Sequence, residues 1–193
     1  MRLHSTLAAL ALGAFIAFPS FAADYTQAPG STLGFSGKYQ GEAFNGTFPG
    51  FVTKFSFDPK QLATAKLDVT IPLATATTRN TDYDGELRGT SFFNSKQFPQ
   101  ARYTASKFRS LGGNKYAADG SLSLRGVAKP VTLTFTWTPG VKPVLAGTAL
   151  VKRLDFGVGS GDWADTSVIP NDIKVTTKVV FSLAATPAIP VKK

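Results

Sequence analysis

The sequence predicts an all-β domain, an antiparallel barrel or a sandwich, with one or two short helical pieces. Apolar and polar residues alternate with a period of two along most of the chain, and helical periodicity of useful length does not occur. The 193 residues are 43% hydrophobic and 17% charged, as expected for one ordinary globular domain. Turn residues such as Gly112-Gly113-Asn114 separate neighbouring alternating segments and favour hairpins.

The N-terminal segment is predicted to be a signal peptide. Arg2 precedes an apolar run over residues 7–18, which is shorter than the roughly 20 residues that a membrane-spanning helix needs. Ser20 and Ala22 are the small residues expected three and one positions before a cleavage site. We therefore expect export, cleavage after Ala22 and a mature domain over residues 23–193. The alternative is a buried N-terminal helix.

Eight or nine strands are predicted in the mature chain. The last one is the clearest, because Ile173, Val175 and Val179 share one face while Lys174 and Lys178 occupy the other. If Pro49-Gly50 only bends a single strand, the count is eight. In chain order, the predicted segments cover residues 33–39, 44–48, 51–58, 67–71, 102–109, 115–124, 131–137, 144–152 and 172–183.

Two short helical pieces are predicted between the strands. Asp58 is placed to cap a single turn that starts at Pro59 and ends near residue 65. Thr81 is placed to cap a second piece over residues 82–88. Pro130 is expected at the start of a strand, where proline is tolerated, and the connections between strands predict a meander.

The side-chain inventory excludes several kinds of functional site. The chain has no cysteine, and its only histidine and methionine, His4 and Met1, lie in the predicted signal peptide. Zinc sites, disulfides, cysteine nucleophiles, the Ser-His-Asp triad and haem ligands all need the missing side chains. We therefore expect no soft-metal site and no imidazole base, and only Asp, Glu, Lys, Tyr, Ser and Thr remain as catalytic candidates. Our overall expectation is a binding protein that is not an enzyme and has neither a metal nor a cofactor.

The net charge bears on the kind of partner. Removal of Arg2 changes the formal charge from +9 to +8, from 20 basic and 12 acidic residues. In an exported protein this charge does not favour nucleic acid, and it modestly favours anionic lipid headgroups or phosphates. A solvated basic surface is the commoner explanation.

The inward faces of the predicted strands are rich in aromatic residues. The mature chain carries 13 of the 16 Phe, both Trp and all five Tyr. The interior of an eight-stranded barrel either fills with side chains or holds one small ligand. Small inward residues are expected to leave space between the rings, namely Gly37, Gly46, Ala105, Ala118 and Gly120.

Four short motifs resemble, in the same order, those of the YceI-like polyisoprenoid-binding family. They are FDP at residues 57–59, FFN at 92–94 with FPQARY at 98–103, SLSLRGVAKPV at 121–131 and RLDFG at 153–157. The resemblance implies an antiparallel eight-stranded lipocalin-like barrel in the periplasm. It also implies that the barrel encloses a long isoprenoid lipid, such as a polyprenyl phosphate or an isoprenoid quinone.

This chain departs from the family pattern at two places. It reads APGS at residues 28–31, where the family often has a histidine, and DGEL at 84–87, where the family has D-x-H-L. Because both histidines are missing, the identity of the lipid headgroup stays open.

Eleven residues are predicted to contact the lipid. Arg88, Arg125 and Arg153 are candidates for a phosphate headgroup, because a guanidinium can hold phosphate with two hydrogen bonds. Arg153 has two alternatives, pairing with Asp155 or solvation. The remaining eight are predicted for the cavity wall, with ordinary core packing as the alternative: Val69, Ile71, Phe92, Phe93, Tyr103, Leu133, Phe135 and Phe181.

Two other classes of protein stay open at this stage. An eight-stranded outer-membrane barrel has the same alternation and a signal peptide, with its apolar face outward. A carboxylate-based enzyme could use Asp82, Asp84 and Glu86, although such a run more often marks a helix start. The sequence also leaves open a homodimer and a transient contact with a membrane surface.

Overall fold

The computed structural model describes residues 22–184. The predicted signal peptide therefore lies outside the described residues, apart from its last residue, Ala22. Ten strands and one α-helix are found, and the helix, α1, spans Thr81–Arg88. The strands are β1 Ala23–Gln27, β2 Thr32–Tyr39, β3 Glu42–Thr47, β4 Val52–Phe57, β5 Lys66–Pro72, β6 Gln100–Gly112, β7 Lys115–Leu124, β8 Val127–Thr138, β9 Val144–Lys152 and β10 Asp172–Leu183.

The strands form one closed antiparallel barrel. The order β1-β4-β5-β6-β7-β8-β9-β10 returns to β1 through the β10–β1 pairing. The β2–β3 hairpin pairs with the start of β10, on the side where β1 pairs with its end. Strands β1 and β2 thus act as one interrupted strand, as do β3 and β4, and the eight-stranded barrel is confirmed.

One strand was missed by the prediction, and another begins earlier than predicted. The sequence did not reveal β1, which pairs with β4 and β10 over only a few residues. Strand β8 begins at Val127, so Pro130 lies inside it rather than at its start. Proline is tolerated there because β9 pairs with β8 only from Thr134 onward, which leaves the preceding residues of β8 with one neighbouring strand.

The predicted helices are present, with shifted ends. Helix α1 is capped by Asn80 rather than Thr81, because the Asn80 side chain accepts hydrogen bonds from the backbone N–H groups of Asp82 and Tyr83. The other piece is a single 3₁₀ turn over Leu62–Thr64. Asp58 does not cap this turn. Its side chain accepts a hydrogen bond from the Lys60 N–H at 2.8 Å and so forms a local turn that precedes the 3₁₀ turn.

The barrel interior is divided into a packed half and a hollow half. Eight aromatic residues fill the packed half, with neighbouring ring centroids 4.9 to 6.5 Å apart. We call this cluster the aromatic plug. Its members are Tyr25, Phe55, Phe57, Phe108, Tyr116, Phe135, Trp137 and Phe181.

The space beside small inward residues is filled, contrary to the prediction. A Cβ atom on Gly46 would lie 2.1 Å from the Phe35 ring, and one on Gly120 would lie 2.6 Å from the Tyr103 ring. The glycines therefore let aromatic rings pack against the backbone. The empty space in the hollow half therefore lies beside other residues.

Charged residues lie on the outer face of the barrel. Asp68 and Arg102 form an ion pair at 2.5 Å across β5 and β6. Arg109 and Asp119 form another at 2.7 Å across β6 and β7. An apolar inside with charged pairs outside is the reverse of what the outer-membrane alternative requires.

No helix within residues 22–184 has the length and apolar character needed to cross a membrane.

Candidate functional site

The hollow half of the barrel contains an apolar cavity of about 190 Å³. Its wall receives side chains from β2 through β10 and from α1, through Leu87. Carbon atoms make up nearly all of this wall. The cavity stops at the aromatic plug on one side and at a set of loops on the other.

Six of the eight residues predicted for the wall lie around this cavity. They are Val69, Ile71, Phe92, Phe93, Tyr103 and Leu133. Phe135 and Phe181 do not line it, because they are packed in the aromatic plug. These two side chains are therefore not placed to contact a ligand in the cavity, as they were predicted to be.

Several wall residues were missed by the sequence-based prediction. They lie at alternate positions on β2, β7 and β9, so the period-two pattern of these strands could have identified them as inward residues. Among them are Leu33, Leu122, Leu124, Ala149 and Val151. Thr53 also lines the cavity, although a polar residue between Phe51 and Phe55 had given no reason to single it out.

Two loops cover the open end of the cavity, and we call residues 89–99 and 153–171 the mouth loops. The Gly159 N–H donates to the Ser91 carbonyl at 2.7 Å and so ties one loop to the other. The rings of Phe92 and Trp163 lie 5.4 Å apart across the same junction. These two contacts hold the mouth loops together over that end of the cavity.

Arg153 is buried beneath the mouth loops, with 3% of the residue exposed. Its five N–H donors reach five backbone carbonyls of the loop that follows it, at distances of 2.6 to 3.2 Å. The acceptors are the carbonyls of Val158, Gly159, Trp163, Ile169 and Pro170. Desolvation by burial lowers the pKa of Arg153.

This geometry bears on the predicted role of Arg153. With every N–H engaged, the guanidinium has no donor left for a phosphate unless the loop rearranges. Neither alternative from the sequence is found, since the side chain is buried and its recorded partners are carbonyls rather than the carboxylate of Asp155.

Arg125 and Arg88 occupy different environments. Nη1 of Arg125 donates to the carbonyls of Ser91, Phe92 and Gly157, and so binds both mouth loops. No acceptor is found within residues 22–184 for Nε and Nη2 of Arg125, which leaves them open to a ligand group. Arg88 is exposed at the end of α1 and does not line the cavity.

Four polar side chains reach the cavity wall, and three have backbone acceptors. Arg153 is one of these three. The Tyr103 hydroxyl donates to the Ala118 carbonyl at 2.8 Å, and burial raises its pKa to about 12. The Thr177 hydroxyl donates to the Thr32 carbonyl at 3.2 Å. The fourth, Thr53, has no partner within residues 22–184.

The one buried acidic residue of α1, Asp84, makes hydrogen bonds that support the fold. Asp84 is buried, and its carboxylate accepts hydrogen bonds from the Thr77 hydroxyl and from the N–H and hydroxyl of Thr78, at 2.6 to 2.8 Å. Asp82 and Glu86 are exposed. Burial opposes ionisation of Asp84, but the hydrogen bonds from Thr77 and Thr78 outweigh it, so its pKa is lowered.

Asp84→Asn is expected to lower the melting temperature at neutral pH by a few degrees, because an amide lacks one acceptor for these donors and the loss is about 1–3 kcal/mol. The lowered pKa means that ionised Asp84 stabilises the fold above its ordinary pKa, and that this contribution disappears as the pH falls through the native pKa. Melting curves of both proteins from pH 7 to pH 3 should therefore converge. A constant difference would contradict this account.

A closed antiparallel barrel with a single-ended apolar cavity defines the class of small barrels that can enclose apolar ligands. The chain belongs to the YceI-like domain family, whose pattern matches residues 25–181. The resemblance seen in the sequence motifs is thereby confirmed.

Relatives with similar sequences carry the general name UPF0312 protein. One from Photorhabdus laumondii is 36% identical over 137 residues, which cover 68% of this chain and 71% of the relative. One from Yersinia pestis has the same identity and the same coverage.

Solved structures share the fold. BcnA of Burkholderia cenocepacia is 30% identical, with a TM-score of 0.75 over 78% of this chain and 95% of its own. The Campylobacter jejuni YCEI protein is 26% identical, with a TM-score of 0.63 over 73% and 85%. A polyisoprenoid-binding domain from Saccharophagus degradans is 14% identical, with a TM-score of 0.63 over 84% and 99%, and shows the fold alone.

Proposed function

We propose that this protein is a carrier that binds an isoprenoid lipid inside the barrel. The observation that supports the proposal most directly is the cavity of about 190 Å³, with a wall that is almost entirely carbon. Each buried methylene contributes about 0.8 kcal/mol to binding before ordering costs. The solved domain from Saccharophagus degradans that is described as polyisoprenoid-binding has the same fold.

The size of the cavity sets how much of the lipid is enclosed. A cavity of about 150 Å³ holds benzene, so one of about 190 Å³ has room for roughly eight carbon atoms, or close to two isoprene units. A long polyprenyl phosphate or isoprenoid quinone would fit only with the rest of its chain outside the mouth loops. A phosphate at the mouth would meet Arg125, which has N–H groups available.

Export to the periplasm is part of the proposal. The predicted cleavage after Ala22 would leave β1 intact, because that strand begins at Ala23. Loading of the cavity would require transient contact of the mouth with a membrane surface. The formal charge of +8 after removal of Arg2 favours such contact when the lipids are anionic.

Val69→Trp is expected to abolish lipid binding, because the indole would fill the cavity that Val69 lines. Val52→Trp is the matched control, since Val52 lies on the adjacent strand with 52% of the residue exposed. Each protein would be released by osmotic shock, studied by native mass spectrometry and extracted with organic solvent. We expect an isoprenoid lipid with wild type and Val52→Trp, and none with Val69→Trp.

Two results would contradict the proposal. One is the absence of any extractable lipid, together with no binding of added isoprenoids by the wild type. The other is equal lipid content in Val69→Trp and wild type, provided that circular dichroism shows a folded β protein in both.

A further inference from the structure

We infer that the inner end of the cavity is a hydroxyl-binding site formed by Thr53 and Gln27, and that the ligand is a short prenyl alcohol that enters with its hydroxyl first. This inference rests on the proposed isoprenoid binding and names the polar group of the ligand. We call Thr53 and Gln27 the polar floor, since Thr53 lines the cavity and Gln27 lies opposite it on β1, in register with Phe181 of the aromatic plug.

Thr53 is the first observation. Only 2% of this residue is exposed, it lines the cavity, and its Oγ1 atom has no hydrogen-bond partner within residues 22–184. A buried hydroxyl without a partner is costly, so a water molecule or a ligand group is expected to satisfy it. Phe55, the next inward residue of β4, already belongs to the plug.

Gln27 is the second observation and comes from a different strand. Thr26 pairs with Lys54 in the antiparallel register of β1 and β4, so the adjoining residues Gln27 and Thr53 stand opposite each other. The Gln27 Nε2 group donates to the Phe51 carbonyl at 2.9 Å, which fixes the orientation of the amide. Its Oε1 atom is buried and also has no partner in the described part of the chain.

The unpartnered acceptor of Gln27 selects the ligand group. Both oxygens of the polar floor lack a partner within residues 22–184, and Gln27 Oε1 can only accept, so it needs a donor from the ligand. A ligand hydroxyl can accept from Thr53 and donate to Gln27 Oε1, so that both groups are satisfied. A carbonyl or ether oxygen can only accept, and it leaves Gln27 Oε1 without a donor.

A phosphate does not fit at the polar floor. Within residues 22–184, the only charged side chain on the cavity wall is Arg153, whose five N–H groups are engaged at the other end. A phosphate placed against the aromatic plug would be a buried anion without a counter-charge, which is strongly unfavourable. The polar floor therefore favours an uncharged alcohol.

The test compares three probes with the ten-carbon geranyl chain by isothermal titration calorimetry: geraniol, its methyl ether and geranyl phosphate. The ten carbons of the chain slightly exceed the roughly eight that the cavity has room for, so the chain end lies at the mouth. We expect wild type to bind geraniol about tenfold more tightly than the ether, which is the effect of one satisfied buried hydrogen bond. Geranyl phosphate should bind more weakly than geraniol.

Three variants locate the effect. Thr53→Val keeps the side-chain shape and removes the donor to the ligand oxygen, so it should weaken the binding of geraniol and of the ether by about tenfold each. Thr53→Ser keeps the hydroxyl and should retain the wild-type affinity for both. Gln27→Met should lose the preference for geraniol over the ether, because it removes the acceptor.

The outcomes separate this inference from the proposed function. Equal affinity of wild type for geraniol and its ether, or tighter binding of geranyl phosphate, would overturn the polar floor as a ligand site and leave isoprenoid binding standing. Equal affinity would mean that the polar floor holds only a trapped water. Failure of all three probes to bind would overturn the proposed function and this inference together.

Discussion

Arg153→Met is expected to destabilise the protein by about 3–5 kcal/mol, because the substitution leaves buried carbonyls without donors. Five backbone carbonyls of the loop after β9 depend on this one guanidinium. Part of the loss is offset, since burial of the guanidinium is itself unfavourable and lowers its pKa. The net loss corresponds to a fall in melting temperature on the order of 10 °C.

The measurement is urea unfolding followed by circular dichroism, with two companion variants. Arg153→Lys has three donors instead of five and should fall between methionine and wild type. Lys152→Met removes an exposed neighbouring charge and should change stability by less than about 0.5 kcal/mol. Unfolding midpoints of Arg153→Met and Lys152→Met that coincide would show that Arg153 does not hold the loop.

The sequence motifs identified Arg125 and Arg153 as important residues but did not predict their hydrogen-bond partners. Both stand in sequence motifs that resemble the family pattern, and both were predicted to hold a phosphate headgroup. The structure shows that each binds backbone carbonyls of the mouth loops. A motif marks the position of an arginine, but the number of its free donors depends on how distant loops fold around it.

The alternation of residues was sufficient to predict the strands of an antiparallel barrel or sandwich, and the choice of the barrel came from the family resemblance. The alternation placed β4 to β10 within a few residues of their observed limits, because each strand has one apolar and one polar face. Strand β1 was missed because its five residues contain only one large apolar side chain, Tyr25. Its strand structure comes from pairing with β4 and β10, which are distant in sequence.

The division of the interior could not be predicted in the same way. Alternation shows that Leu133 and Phe135 point inward, but it does not give their depth along the barrel axis. Leu133 lines the cavity, and Phe135, two residues further along β8, belongs to the aromatic plug. That boundary is set by the register between neighbouring strands, which only the closed sheet defines.

Phe55→Ala is expected to lower stability by about 3–5 kcal/mol and to lengthen the cavity. Phe55 is 1% exposed, and its ring lies within 6.5 Å of six other rings of the aromatic plug. It is also the inward neighbour of Thr53 on β4. Removal of its ring therefore opens space directly beyond the polar floor.

The longer cavity should change which chain length binds best. Wild type should bind geraniol, with ten carbons, more tightly than farnesol, with fifteen, because the plug forces the five further carbons of farnesol to lie outside the mouth loops, where they bury no surface and lose mobility. Phe55→Ala should reverse this order, and farnesol should raise its melting temperature more than that of wild type.

Phe156→Ala is the matched control for this change. Phe156 is 2% exposed and lies at the start of the second mouth loop, where its side chain belongs to neither the plug nor the cavity wall. Its removal should destabilise the protein to a similar degree while geraniol remains the tighter ligand. If Phe55→Ala keeps the wild-type preference for geraniol, the aromatic plug does not set the length of the ligand.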